Sequence, residues 1–310
     1  MNEPQLSVIV ITVDDGRTVA TTLRHLRAQT AWDQLEIVVV APQPVAVAGF
    51  RWVRSVVAEV GRSTAAARAA GVRAATTPVV AFVEDHSFPE PGWAAALLMA
   101  HKQPCAGVGP VMGNANPATL TSWANLIIEY GPWLAPQAGG PVVLIPGHNS
   151  SYKRAVLLAY GDRLEAMLDA EGVMHWDLQA RGETLWLEPT AKTNHCNFSR
   201  IGPSVTLRFY GGRLFASARC REWSWWRRAM YGVAAPLIPL VRFGRIVGAG
   251  RIPWRAVPVT LAGLVVDGFG EFIGYLTGGG NAIGVLSDLE FHRERFLTAA
   301  DRQLWEAGSR

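Results

Sequence analysis

Three apolar runs constrain the first part of this chain: Leu6-Ser7-Val8-Ile9-Val10-Ile11, Leu35-Glu36-Ile37-Val38-Val39-Val40 and Pro78-Val79-Val80-Ala81-Phe82-Val83. Each is bounded by polar or Pro-containing segments and reads as a buried strand. Between them, residues 16–29 carry Val19, Leu23 and Leu26 at helical spacing, and the Ala-rich residues 62–75 stop at Thr76-Thr77-Pro78, so both stretches read as helices. Strands alternating with helices predict an α/β fold with a doubly wound, mainly parallel sheet.

Open sheets of this kind bind ligands beyond the carboxyl ends of their strands. The third run ends in Glu84-Asp85-His86. Two carboxylates and an imidazole together suit a divalent cation such as Mn²⁺ or Mg²⁺, whereas the same tripeptide also fits a solvated turn. Downstream, residues 91–102 read as a helix with Pro near its start, and 107–112 and 141–146 as short strands. They are separated by a helix over 120–130 and a Gly/Pro-rich loop over 131–140. Helices are expected over 154–160 and 173–181, then a short strand over 185–187 ended by Glu188-Pro189.

Composition removes several classes of function. With 310 residues, 49% hydrophobic and 17% charged, the chain has apolar material for one large or two modest domains and is not disordered. Cys105, Cys196 and Cys220 are far apart, odd in number and lack ligand spacing, so neither a disulfide framework nor a zinc module is indicated. The N-terminus carries Glu3 and no basic segment, so no signal peptide is expected and a cytoplasmic setting fits. Val13-Asp14-Asp15-Gly16 follows the first strand in place of Gly-x-Gly-x-x-Gly, which argues against a dinucleotide-binding oxidoreductase. The net charge of +4 is mild. Its arginines, Arg219, Arg221, Arg227, Arg228, Arg242, Arg245, Arg251 and Arg255, crowd one stretch but are interleaved with apolar residues, unlike a nucleic-acid-binding face.

The order of elements resembles a family 2 glycosyltransferase of GT-A fold, in its membrane-associated, bacterial-type form. The pieces that carry the resemblance are the first strand with Thr12, Ala67-Arg68-Ala69-Ala70-Gly71, Glu84-Asp85-His86, and Pro91-Gly92-Trp93. After them come Gly147-His148-Asn149-Ser150-Ser151-Tyr152-Lys153-Arg154 and Leu187-Glu188-Pro189 with His195. Two departures stand out: Ala41-Pro42-Gln43 lies where the family places an acid for the nucleobase, and Glu84 and His86 replace the usual aspartates.

The resemblance implies a nucleoside diphosphate sugar as donor and a divalent cation, Mn²⁺ or Mg²⁺, held by Glu84, His86 and His195. Thr12, Arg68 and Asp85 are implied at the donor, Arg68 through its planar fork on phosphate, and Asn149 at the acceptor. The general base falls on Glu171 in an ungapped register from Glu188-Pro189, or on His175 if Asp177-Leu178 is matched to the family's Asp-Leu pair. Placed one turn apart on a helix, the two share a face.

The C-terminal part differs in character. Trp223, Trp225 and Trp226 beside Arg227 and Arg228, then Pro236-Leu237-Ile238-Pro239, suit a membrane interface. Residues 256–276 are long enough to span a bilayer but contain Asp267 and Glu271. Residues 288–306 read as a solvated helix. The expected organisation is a GT-A catalytic domain over 1–200, with its nucleotide-binding half over 1–104 and acceptor half over 105–200. A helical, amphipathic, membrane-proximal extension over 201–310 follows. The expected function is inverting, metal-dependent transfer of a sugar to a hydroxyl of a lipid-linked or polysaccharide acceptor, at the cytoplasmic face of a membrane. The alternative is a degenerate, non-catalytic GT-A domain acting as a membrane-bound scaffold.

Overall fold

The computed structural model describes residues 3–14, 16–59, 63–248 and 253–306. Arg62, expected to open a helix, and Arg251, one of the clustered arginines, lie outside them, as does Asp15. The chain falls into two compact units. One comprises Met1–Gly113, Ala135–His195 and Trp305–Arg310, the other Asn114–Leu134 and Cys196–Leu304.

The first unit is an α/β layer structure. Strand β1 (Leu6–Ile11) is followed by helix α1 (Ala20–Arg27), β2 (Leu35–Ala41), β3 (Trp52–Val57), α2 (Thr64–Ala74), β4 (Val79–Phe82), β5 (Ser87–Pro89), α3 (Trp93–Ala100) and β6 (Gly107–Asn114). After α4 (Leu120–Tyr130), which belongs to the second unit, come β7 (Gly140–Val142), β8 (Ser151–Lys153), α5 (Arg154–Leu158), α6 (Leu164–Leu168), α7 (Glu171–Ala180) and β9 (Leu185–His195). The sheet runs β3-β2-β1-β4-β8-β6-β9-β5, with β7 also on β9. Strands β3, β2, β1 and β4 are parallel, with Leu6 opposite both Leu35 and Val79, and β8 joins β4 antiparallel. The parallel strands β1, β2 and β4 are buried almost throughout, as continuous apolar runs between helix layers require.

Several elements differ from expectation. Helix α1 starts only at Ala20, because the preceding residues are committed to a turn: Thr12 Oγ1 donates to Asp14 Oδ1 at 2.7 Å and the Gly16 amide to the same oxygen at 2.9 Å. Strand β9 does not end at Glu188-Pro189 but continues to His195. Pro189 falls between the stretch paired with β7 (Leu185 to Leu187) and the stretch paired with β5 (Thr193 to His195), where neither strand calls on its missing N–H.

At the opposite end of the sheet from the strand C-termini, Glu36 closes a buried polar cluster. It accepts from Ser7 Oγ at 2.5 Å, from the Thr76 amide at 2.9 Å and hydroxyl at 3.0 Å, and from Arg54 Nε at 3.2 Å. The cluster ties β1, β2, β3 and the start of β4 together. Burial pushes the Glu36 carboxyl up, but the hydrogen bonds from Ser7, Thr76 and Arg54 prevail and hold it below the ordinary value.

The second unit is helical. Besides α4 it contains α8 (Ile201–Arg219), α9 (Trp225–Ala234), α10 (Ile238–Gly248), α11 (Val257–Thr277), α12 (Ala282–Phe291) and α13 (Ala299–Glu306) up to Leu304. A 3₁₀ turn, Ala235–Leu237, joins α9 to α10. The single solvated helix expected over 288–306 is instead the end of α12, a 3₁₀ turn (Arg293–Phe296) and α13. It is not wholly solvated, because Arg293 and Asp301 are buried: Arg293 donates to the Cys196 carbonyl at 2.6 Å and Asp301 accepts from Asn116 at 2.8 Å. Helices α8 and α11 pack backbone against backbone. A Cβ at Gly270 would stand 2.0 Å from the Phe209 carbonyl oxygen, so this approach needs a residue without a side chain. Cys105, Cys196 and Cys220 are buried free thiols.

Two outcomes follow for stability. Glu36→Ala strands the donors of Ser7, Thr76 and Arg54 and is expected to cost about 2–3 kcal/mol in denaturant unfolding. Because the folded-state pKa of Glu36 is depressed, its contribution is complete above the unfolded value of about 4.3 and is lost as pH falls through the lower folded value. The acid limb of the stability curve should therefore be shallower in Glu36→Gln than in the parent. Gly270→Ala forces α8 and α11 apart and should cost about 1–3 kcal/mol by the same measurement.

Candidate active site

The carboxyl end of β4 positions the site. The strand is held on both sides, with the Val83 amide donating to the Ile9 carbonyl at 3.2 Å and the Phe82 amide to the Ser150 carbonyl at 3.0 Å. The chain then turns: the Ser87 amide donates back to the Glu84 carbonyl at 3.0 Å, and Thr22 Oγ1 of α1 reaches the Asp85 carbonyl at 2.8 Å. Glu84, Asp85 and His86 are fixed in that turn.

His195 arrives by strand pairing. In the antiparallel ladder of β5 and β9, Ser87 lies opposite His195, so His195 stands beside the residue that follows His86. The two imidazoles meet edge to face with ring centroids 4.7 Å apart. His195 Nε2 lies 3.4 Å and His86 Nε2 3.7 Å from Glu84 Oε2. One ligand atom from each of Glu84, His86 and His195 lies within 4.8 Å of the others.

Asp85 serves from behind. Its Oδ1 is 2.7 Å from His86 Nδ1, the carboxylate–imidazole arrangement that fixes a ring's tautomer and leaves Nε2 for a metal ion. Asn149, expected at an acceptor, is 1% exposed and gives its Nδ2 to Glu84 Oε2 at 2.8 Å. It lies in the 3₁₀ turn Gly147–Asn149, between β7 and β8. That turn closes on α7 because residue 147 is glycine: a Cβ there would stand 2.5 Å from Glu171 Cβ.

Glu171 is the first residue of α7, where a carboxylate complements the helix dipole. Its Oε1 accepts from Arg68 Nη1 at 2.9 Å. Arg68 comes from the buried face of α2, a helix capped by Ser63 Oγ on the Ala66 amide at 2.9 Å. The Arg68 Nη2 atom lies 3.8 Å from Glu84 Oε1 and 2.5 Å from His148 Nδ1. His148 Nε2 in turn lies 3.4 Å from Glu171 Oε2.

The electrostatic result centres on Glu84. Burial alone would push this carboxyl up, but His86, His195 and His148 around it bring it well below the ordinary range. It is a carboxylate held among three imidazoles and a guanidinium. A carboxylate and two imidazoles are a donor set for a divalent transition metal, and the imidazoles favour Mn²⁺ over Mg²⁺.

The structure thus brings together Glu84, Asp85, His86, His195, Arg68, Asn149 and Glu171. It does not bring His175 to them. One turn beyond Glu171, His175 is buried with Nε2 2.8 Å from the Tyr152 hydroxyl, and burial lowers it to about 3. Thr12 lies at the end of β1 with its hydroxyl engaged by Asp14 and, at 2.9 Å, by Thr18. Two contributors were not assigned a role from sequence, His148 and Thr22. His148 was visible in the Gly147-His148-Asn149 turn, but nothing in its spacing separated it from its neighbours. Thr22 looked like any polar position on α1.

Residues 7–161 match the family model described as glycosyl transferase family 2. No curated protein matches the sequence. Among solved structures, the chain is similar to the crystal structure of GalNAc-T7 with UDP, GalNAc and Mn2+, at 14% identity and a TM-score of 0.49. That similarity covers 64% of this chain and 44% of the other, so the present chain spans less than half of that one. The family match takes in β1 through α5, half of the sequence and the strands that carry Glu84, Asp85 and His86, and on it the chain belongs to glycosyl transferase family 2.

Proposed function

We propose that this chain transfers a sugar from a nucleoside diphosphate donor to a hydroxyl of a lipid-linked or polysaccharide acceptor, with inversion, at the cytoplasmic face of a membrane. The observation that carries the reading is the convergence of Glu84, His86 and His195 on one point, with Arg68 and Glu171 beside them. In this reading the sheet portion within residues 1–200 is the GT-A catalytic part, and residues 201–310 attach it to the membrane.

Glu84, His86 and His195 would hold the divalent cation, Mn²⁺ or Mg²⁺. When bound, it supplies Lewis-acid neutralisation of the diphosphate leaving group. Asp85 keeps His86 in the tautomer that presents Nε2, and Asn149 keeps Glu84 in place. Arg68 offers its planar N–H groups to phosphate oxygens, and the turn that begins at Thr12 borders the donor.

In the displacement, the acceptor oxygen bonds to the anomeric carbon as the bond to the diphosphate oxygen breaks. The hydroxyl proton passes to a carboxylate oxygen of Glu171. Two observations support Glu171 over His175 as the base. Glu171 stands beside Arg68 and Glu84, whereas His175 is enclosed against Tyr152.

The discriminating measurement is thermal stabilisation by a panel of nucleoside diphosphates with and without Mn²⁺. A ligand that binds only the native state raises stability with its concentration over Kd, by about 2.7 kcal/mol at a hundredfold excess. Stabilisation by a nucleotide that depends on the cation is expected. No response to any nucleotide would favour the non-catalytic GT-A scaffold, to which the absent acid at Ala41-Pro42-Gln43 also points.

The single-residue outcomes separate the roles. Glu84→Ala and His86→Ala should abolish the cation dependence of nucleotide stabilisation and lower turnover by at least about a hundredfold. Glu171→Gln should keep that stabilisation while losing turnover by about 10²–10⁴. Full turnover in Glu171→Gln would transfer the base to another residue.

A further inference from the structure

We infer that α9, the turn Ala235–Leu237 and α10 form one in-plane amphipathic anchor whose outward stripe enters an anionic lipid surface, while α11 stays packed on the other helices of its unit and does not span. This deepens the membrane reading above and is independent of the sugar-transfer chemistry.

The stripe is explicit in the exposure pattern. Trp226, Met230, Val233, Leu237 and Leu240 follow one another at spacings of three or four residues, the repeat of one helix face. All are large apolar side chains left in the open, from 53% exposed at Met230 to 79% at Val233. A soluble surface scatters such residues singly; a continuous row marks an interaction face.

The opposite side of the same segment faces its own unit. Gly232, Ala235 and Pro239 are buried, and Arg242 of α10 pairs with Asp267 and, at 3.7 Å, with Glu271 of α11. The segment is therefore oriented, with a charged clamp inward and an apolar row outward.

The charge pattern selects lipid over protein. From Trp223 to Val266 the sequence contains no Asp or Glu and, besides the clamped Arg242, five arginines, Arg227, Arg228, Arg245, Arg251 and Arg255. Trp225 and Trp254 are exposed with Arg227 and Arg255 close by, and Arg255 sits 5.4 Å over the Trp254 ring. Indoles at the headgroup level and arginines toward anionic headgroups, flanking an apolar row, are the chemistry of a helix lying in the interface.

The helical stretch Trp254–Thr277 that contains α11 passes the length and hydropathy requirements of a span, with mean hydropathy 1.5 over an 18-residue window within it. Its buried face nevertheless carries Asp267 and Glu271, at 6% and 3% exposure, both paired with Arg242. Moving α11 into hydrocarbon would strip those acids of their partner or drag the arginine with them.

The test is flotation of the full chain with vesicles of phosphatidylcholine alone or with 30% phosphatidylserine, a composition of about the anionic content that polybasic segments respond to. The parent should float with the anionic vesicles, at least about tenfold more than with the neutral ones, and be released by sodium carbonate. Val233→Asp combined with Leu240→Asp should lower that binding at least about tenfold, with circular dichroism and melting temperature unchanged because both positions are exposed. Binding that survives the double substitution and resists carbonate would overturn the anchor in favour of α11 spanning, leaving the membrane reading intact. No binding of the parent to either vesicle would overturn both. A parent dimer in sedimentation velocity that the double substitution dissociates would assign the stripe to a second copy of the chain instead.

Discussion

Burial of the Glu84 carboxylate is the constraint on which the site depends. An ionised carboxyl withdrawn from water costs several kcal/mol unless its oxygens are satisfied by charge and hydrogen bonds. Here Arg68 comes from α2, His86 from the turn after β4, and His148 and Asn149 from the turn before β8. His195 comes from the end of β9. Apart from His86, two residues on in the same turn, none of these groups reaches Glu84 by local sequence. The register of β5 on β9 and the close approach of Gly147 to Glu171 are what deliver them. The same compensation that keeps Glu84 ionised gathers imidazoles and a carboxylate at one point. Stability of the turn and capacity for a cation therefore share a cause.

The helical unit meets the same cost differently. Asp267 and Glu271 are buried on α11, and burial together with the neighbouring Asp267 pushes Glu271 up to about 7, against the pull of Arg242 and Arg219. A single arginine from α10 sits on both acids. That clamp fixes which side of α10 turns inward, and by the helical repeat it also fixes which side is left outside. Gly270 contributes from the other flank by letting α8 lie directly on the α11 backbone, so α11 is engaged by helices on two faces.

How much of this was legible follows from what each signal encodes. Strands β1, β2 and β4 were plain because fully buried parallel strands write themselves as unbroken apolar runs. Strand β3 was not found: it is an edge strand with Arg54 and Ser55 exposed among its valines, and neither apolar continuity nor alternation marks it. Strands β5 and β8, with three residues each, are shorter than any periodicity. Helix α8 went unread since its exposed and half-buried positions follow no single stripe. In the site, the order of motifs carried Glu84, His86, His195 and Arg68, each attached to a recognisable segment. The position of His148 depends on how one turn packs on α7, and no local spacing expresses that.

Glu171 and His175 show where spacing stops being informative. Residues one turn apart on a helix share a face, and from sequence the pair reads as a base with its orienting partner. The face they share runs from the site into the core, however. At the first residue of α7 the side chain meets a guanidinium and an imidazole; one turn later it meets the Tyr152 hydroxyl, with Tyr152 fully enclosed. Burial holds His175 neutral down to about pH 3, so near neutrality it does not titrate and serves Tyr152 as a hydrogen-bond partner. Helical periodicity assigns a direction, and depth along that direction assigns the chemistry.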